Sequence, residues 1–321
     1  MKTTCLRRLL KFGAVVVVLV LSAEILLNKT KVRKTPPKLT PLSAEEYRPI
    51  SPDTYRYILN QPAACRDREP FLVFMVPVSP VQAEARKAVR DTWGAPGQDT
   101  LTLFFVGLPE GGQGSSTQWE LEEESSQHAD IVQMNFQDSY QNLTIKTVMM
   151  MTWLAAHCPN ATYAMKVDAD IFVNVFYLMK RLEGSPRQDF ITGSVIWDGK
   201  PRRDIHSKWH VSEDLYPEDS FPPYVSGAGY VFSADLAARI TWASRFVRVI
   251  PLEDVYVGLC LRVLGVRPVY SRSLPTFRNL FEIRTLDYDR CSFSKLVIVN
   301  GFKPSKLRDI WEDFTKGRAS C

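Results

Sequence analysis

The 321-residue chain contains no GxxxxGK phosphate loop, no internal repeat and no cysteines spaced closely enough for a zinc site. A P-loop phosphotransferase and a zinc module therefore have no motif to stand on. Its globular part also lacks a basic field. The formal charge is +5, but residues 1–38 carry nine Lys/Arg against Glu24 alone and hold +8, which leaves residues 39–321 at −3. Binding to a phosphate backbone needs clustered positive potential, so no nucleic-acid partner is expected. With 45% hydrophobic and 23% charged residues, the chain has enough apolar material for a full core and does not read as disordered.

Long apolar runs are scarce too. The one candidate is Phe12–Leu27, FGAVVVVLVLSAEILL. At ~1.5 Å per residue it makes a helix of about 24 Å, and extension back to Leu9 with Lys11 snorkelling brings it to about 28 Å, enough for a thin bilayer. A cleaved signal peptide, with Val20 and Ser22 as its small-residue pair, is the competing reading. The Pro-rich residues that follow favour an anchor and an extended stem. The expected division is a cytosolic tail at 1–11, a transmembrane signal anchor at 12–27, a stem at 28–68 and a catalytic domain at 69–321. Lys/Arg counts flanking the run do not orient it. Asn-x-Thr sequons at Asn28, Asn142 and Asn160, and five cysteines beyond the run, suit a C-terminal part in an oxidising lumen.

From residue 70, short β-branched and aromatic runs alternate with helical periodicity. Strands are expected at 71–76, 101–106, 131–136, 163–167, 190–194 and 224–232, and helices at 143–157, 171–182, 233–245, 253–264 and 304–315, with a further helix running through Trp93. This order predicts an α/β domain with a mostly parallel sheet and ligands beyond the carboxyl ends of its strands. The stretch 110–127, rich in Gly, Ser and Glu, shows no apolar face and reads as a solvated loop. Arg86 and Arg90 lie one helical turn apart, the spacing of an anion clamp or of a solvated basic face.

The chemistry concentrates in AMKVDADIFVN (164–174). In an extended chain residues i and i+2 point the same way, so Asp168 and Asp170 would aim both carboxylates at one spot, suited to a hard dication bound to a diphosphate. A lone Asp-x-Asp also marks turns and caps. A second acidic pair, Glu253-Asp254, opens the helix EDVYVGLCLRVLG, where acids also simply suit the helix dipole. Upstream, Gly227 and Gly229 interrupt the strand-like YVSGAGYVFS, as at a bulge or where a ligand nears the backbone.

Five segments in order, RKAVRDTWG (86–94), DIVQMNFQDSYQNLTIKT (130–147), MKVDADIFVNV (165–175), FPPYVSGAGYVFS (221–233) and EDVYVGLCL (253–261), resemble the β-1,3-galactosyltransferase family, which includes β-1,3-N-acetylglucosaminyltransferases. The resemblance implies a GT-A-type domain on a single-pass type II Golgi membrane protein, with the catalytic part lumenal. It implies Asp168 and Asp170 as the metal and donor-diphosphate motif, with manganese the cation and Asp170 the direct ligand. Asp254 would be the general base of an inverting transfer, and Arg86, Arg90, Gly227, Gly229 and Glu253 would lie about the donor. Ala169 and SKWHV (207–211) resemble the galactosyl branch, hence UDP-galactose as donor and a glycan on glycoprotein or glycolipid as acceptor. N-acetylglucosaminyl transfer and a non-catalytic carbohydrate-binding relative are the alternatives. Asn300 stands where many members carry a metal-associated His. Bridges Cys65–Cys158 and Cys260–Cys291 with Cys321 left over fit this picture, although four lumenal cysteines permit three pairings.

Overall fold

The computed structural model describes residues 39–275 and 287–316. The expected tail and span, the first part of the stem, and Cys321 lie outside the described residues. No helix among the described residues is long and apolar enough to cross a membrane.

Ten strands occur among the described residues: β1 (Tyr57–Leu59), β2 (Leu72–Pro77), β3 (Thr100–Leu108), β4 (Ile131–Gln137), β5 (Tyr163–Val167), β6 (Ile171–Val173), β7 (Ile191–Ile196), β8 (Tyr224–Ser233), β9 (Val269–Tyr270) and β10 (Ile298–Asn300). The longer helices are α1 (Ala83–Arg90), α2 (Ser116–His128), α3 (Leu143–His157), α4 (Val175–Leu182), α5 (Asp235–Ala243), α6 (Glu253–Leu264) and α7 (Pro304–Lys316). Eight strands form one sheet in the order β1-β4-β3-β2-β5-β8-β7-β9, and β6 pairs with β10 in a second. Strands β4, β3, β2 and β5 are mutually parallel. Because β8 runs antiparallel to both β5 and β7, β7 shares their direction, and only β1 and β8 oppose it. The expected α/β domain with a mostly parallel sheet is what forms.

Alternation along the strands builds two cores. In β2, Val73 and Met75 face one side with α3, α5 and α6, whereas Leu72, Phe74 and Val76 face the other with α1, α4 and α7. Each fully buried Phe or Leu contributes roughly 1.5–3 kcal/mol, so two cores on one sheet hold its strand ends in fixed positions. Helix α6 ends where Gly265 takes up φ 71°, a left-handed cap that a residue with a Cβ adopts at a cost.

Several expectations are corrected. Part of the stretch expected as an extended stem packs on the sheet and its helices: Ile50 is fully buried, Tyr57–Leu59 pairs with β4 and Cys65 bonds to Cys158. The stretch 110–127 is a loop only to its middle. Ser115 caps α2, whose buried side is mostly polar: beside Leu121, Gln118 and Gln133 exchange amide hydrogen bonds at 2.8 Å each way, a contact without apolar periodicity. The expected helix 171–182 begins as strand β6 and turns helical after Asn174, whose side chain accepts from the Tyr177 amide. Cys260 is a buried free thiol while Cys291 is disulfide-bonded, so these two are not partners.

Candidate active site

Strand β2 has β3 and then β4 on one side and β5 on the other, so the chain reverses its direction of sheet growth between β2 and β5. In open α/β sheets, ligands bind in the crevice that this reversal opens at the carboxyl ends. Val78 ends one wall of it and Asp168 the other.

Asp168 and Asp170 do not sit in extended chain. The Ile171 amide donates to the Asp168 carbonyl at 3.3 Å, closing a turn over residues 168–171. The i, i+2 reasoning therefore fails as geometry, yet the two acids remain electrostatic neighbours: burial first, then Asp168, raises the Asp170 carboxyl above its usual range. Backbone amides of Gly301 and Phe302 donate to the Asp170 carbonyl at 3.2 and 3.0 Å, and Asn300 pairs with Ile171 across β6 and β10. Asn300 is thus held beside the Asp-x-Asp turn.

The second acidic pair is brought to the first by a residue that sequence reasoning passed over. Lys166, buried in β5, places Nζ 2.7 Å from Asp168 Oδ1 and 3.1 Å from Glu253 Oε1, and donates to the Gly227 carbonyl. Burial opposes its charge, but Asp168 and then Glu253 outweigh that, so the ammonium is held above its ordinary range. Glu253 is pushed up to about 7 by burial, with Asp254 and Asp168 adding and Lys166 opposing. The Thr147 hydroxyl lies 3.5 Å from its other oxygen. The Gly227 amide donates to Asp254 Oδ2 at 3.2 Å. A Cβ on Gly227 would clash with Glu253 Oε1 and fall in ordinary contact with Asp254, so a larger residue would displace the Glu253 carboxylate from Lys166. Gly229 sits more loosely, with Ile298 and Met165 in tight or ordinary contact with where its Cβ would be. The signal for Lys166 was a lone charge in a strand of otherwise apolar residues.

Arg86 and Arg90 are not a free anion clamp. Arg86, 1% exposed, grips Glu124 through Nε at 2.9 Å and Nη2 at 2.6 Å, and donates to the Ser79 and Pro80 carbonyls. Arg90 pairs with Asp130 and Glu124. Both charges are balanced inside the protein, and Arg86 fixes the loop that follows β2. A cavity of about 490 Å³ beside this network, lined by Arg90, Glu124, His128 and Asp130, shares no lining residue with the acid cluster. A further buried cation, Lys146, ties the carboxyl ends of two strands by donating to the Val78 carbonyl at 2.9 Å and to Asp138 at 2.8 Å.

The donor set suits a hard dication. Two carboxylates in one turn, one of them raised by burial and then by the other, would gain from a shared positive charge. No group of three or more His, Cys, Asp or Glu able to hold a metal occurs among the described residues, so a cation here would complete its shell with water and ligand oxygens.

Acids gather around a buried lysine at the sheet's switch point, and comparison gives the family. The Galactosyltransferase family model matches residues 84–272. Mouse beta-1,3-galactosyltransferase 2 is 40% identical over 271 residues, covering 82% of this chain and 63% of that protein. Mouse beta-1,3-galactosyltransferase 1 is 39% identical over 275 residues, covering 84% of this chain and 81% of that protein. The chain belongs to the galactosyltransferase family, although it spans less than two thirds of the length of the first of these relatives. The solved galactosyltransferase LgtC, in complex with donor and acceptor sugar analogs, aligns over 63% of this chain and 73% of its own at 11% identity and a TM-score of 0.33, a likeness too slight to carry an argument.

Proposed function

We propose that this chain is an inverting β-1,3-galactosyltransferase that moves galactose from UDP-galactose to a hydroxyl of a glycan acceptor on glycoprotein or glycolipid. The observation that carries the reading is the single constellation of Asp168, Glu253 and Asp254 around Lys166 and Gly227, with Asp170 in the adjoining turn. The names of the 39–40% identical relatives favour galactose over N-acetylglucosamine.

Asp254 is the proposed general base. Its carboxylate opens α6, and both oxygens are oriented by backbone amides, Oδ2 by Gly227 at 3.2 Å and Oδ1 by Val255 at 2.9 Å, which fixes the group that would take the acceptor's proton. One carboxylate beside the acceptor suffices for inversion, because no covalent intermediate forms. Asp168 and Asp170 would hold manganese, which when bound supplies charge neutralisation for the diphosphate leaving group. Lys166 pairs with Asp168 and locks Glu253 in place. Arg86 acts on the donor indirectly, through the loop at Ser79 and Pro80.

A Golgi membrane location, single-pass type II with a lumenal domain, belongs to the same proposal. The Cys65–Cys158 bridge supports an oxidising compartment. The test is transfer from each UDP-sugar to glycan acceptors, with manganese and with chelator, for wild type, Asp170→Ala and Asp254→Asn. Both substitutions should abolish transfer, while Asp170→Ala alone should greatly weaken UDP binding. Unchanged UDP affinity in Asp170→Ala would refute its assignment.

A further inference from the structure

Strand β7 ends at Ile196 on the same edge of the sheet as Asp168, and the chain then wanders over residues 197–223 before returning as β8. This segment is stapled down by Arg203, whose guanidinium donates to the carbonyls of Val211 and Tyr216, both at 2.8 Å, and of Glu218. Within the staple, the Val211 amide donates to the Arg202 carbonyl at 3.0 Å and Arg202 bridges His210. The loop therefore has a fixed shape.

At its centre lies the half-buried indole of Trp209. Arg202 Cζ stands 5.1 Å and Lys208 Nζ 4.6 Å from the ring centre, and Lys208 Nζ is also 6.0 Å from the ring of Tyr140. Both cations are exposed, and among the described residues neither makes an ion pair with a carboxylate. A nearby acid, Asp204, has one oxygen engaged by the His206 amide. Two like charges on one aromatic ring repel each other. Cation–π attraction at an exposed site, roughly 0.5–1 kcal/mol, offsets that repulsion without neutralising it. Such a site gains from an anion, and its indole offers a flat apolar face.

One end of the platform connects to the acid cluster through α3. Tyr140, 44% exposed, begins the turn that leads into α3; along that helix Thr144 donates to the Ile250 carbonyl at 2.7 Å, and Thr147 touches Glu253. Seven residues separate Tyr140 from Thr147, roughly 10 Å at ~1.5 Å per residue. That is a span for an oligosaccharide rather than one ring.

We infer that Trp209, flanked by Arg202, Lys208 and Tyr140, is a subsite for an acidic sugar of the acceptor, whose carboxylate or sulfate meets the two cations while its ring lies on the indole. The inference rests on the transferase reading for its word acceptor, but its test does not. Binding of lactose, sialylated lactose and sulfated lactose to the full-length chain is measured directly by ligand-observed NMR. The same measurement follows for Lys208→Gln, Arg202→Gln, the double variant and Lys208→Arg, all at exposed positions.

One acidic form should bind about tenfold tighter than lactose, and which one does so separates carboxylate from sulfate. The preference should shrink with added salt, fall to near unity in the double variant and survive in Lys208→Arg. Equal binding of all three sugars to wild type, or a preference untouched in the double variant, overturns the subsite. A preserved preference in a chain that transfers no sugar from any donor would sink the transferase reading and leave the subsite standing.

Discussion

Lys166 and Glu253 meet 3.1 Å apart, each with less than a tenth of its side chain exposed. Breaking a buried pair by removing one partner leaves an uncompensated charge, at about 3–5 kcal/mol. Lys166→Met should therefore destabilise by about that amount in denaturant unfolding at pH 8, above the raised Glu253 value of about 7. The double variant Lys166→Met with Glu253→Gln should lose less than the two single changes combined, by about 0.5–3 kcal/mol of coupling. Strict additivity in the double-mutant cycle would show that the two side chains do not depend on one another.

The same glutamate gives the fold a pH dependence of definite sign. Burial raises the Glu253 carboxyl from 4.5 to about 7, so the folded state holds a proton that the unfolded chain has released. A raised acid adds stability that is fully present below the unfolded value and is lost as pH climbs through the folded one. Across that window of about 2.5 units, at about 1.36 kcal/mol each, the wild type should lose up to about 3 kcal/mol relative to Glu253→Gln. Urea unfolding of both proteins from pH 4.5 to 8 measures it. A difference that stays level, or that moves in favour of the wild type, would mean that the carboxyl is ionised throughout.

Much of this site was legible in one dimension because its acids sit at element ends. The apolar run places strand β5 at residues 163–167, and the opening acids with the closing Gly265 place α6 at 253–264, where both elements form, so that Asp168 follows a strand end and Asp254 opens a helix. Hidden from that reading was whatever depends on partners distant in sequence. Lys166 looks like a stray charge until Gly227 and Glu253, some 61 and 87 positions later in numbering, close around it. Helix α2 escaped because Leu121 is the one apolar residue on its buried face, beside Gln118, Ser125 and a glutamate under two arginines, which leaves no hydrophobic period. Strands β1, β6, β9 and β10 are two or three residues long, too short for any period.

Glu124 ties together the two arginines of α1. It stands 2.6 Å from Arg86 and 2.7 Å from Arg90, and burial alone would raise its carboxyl, yet the guanidiniums hold it below the ordinary range. If either arginine bound diphosphate directly, Glu124→Gln would release positive charge and tighten UDP. If Arg86 acts by holding the Ser79 and Pro80 carbonyls, the same change strands a buried guanidinium, costs about 3–5 kcal/mol and loosens the loop at the switch point. The second outcome is expected: lower stability together with weaker UDP binding by calorimetry. Tighter UDP binding in Glu124→Gln would return both arginines to the donor site.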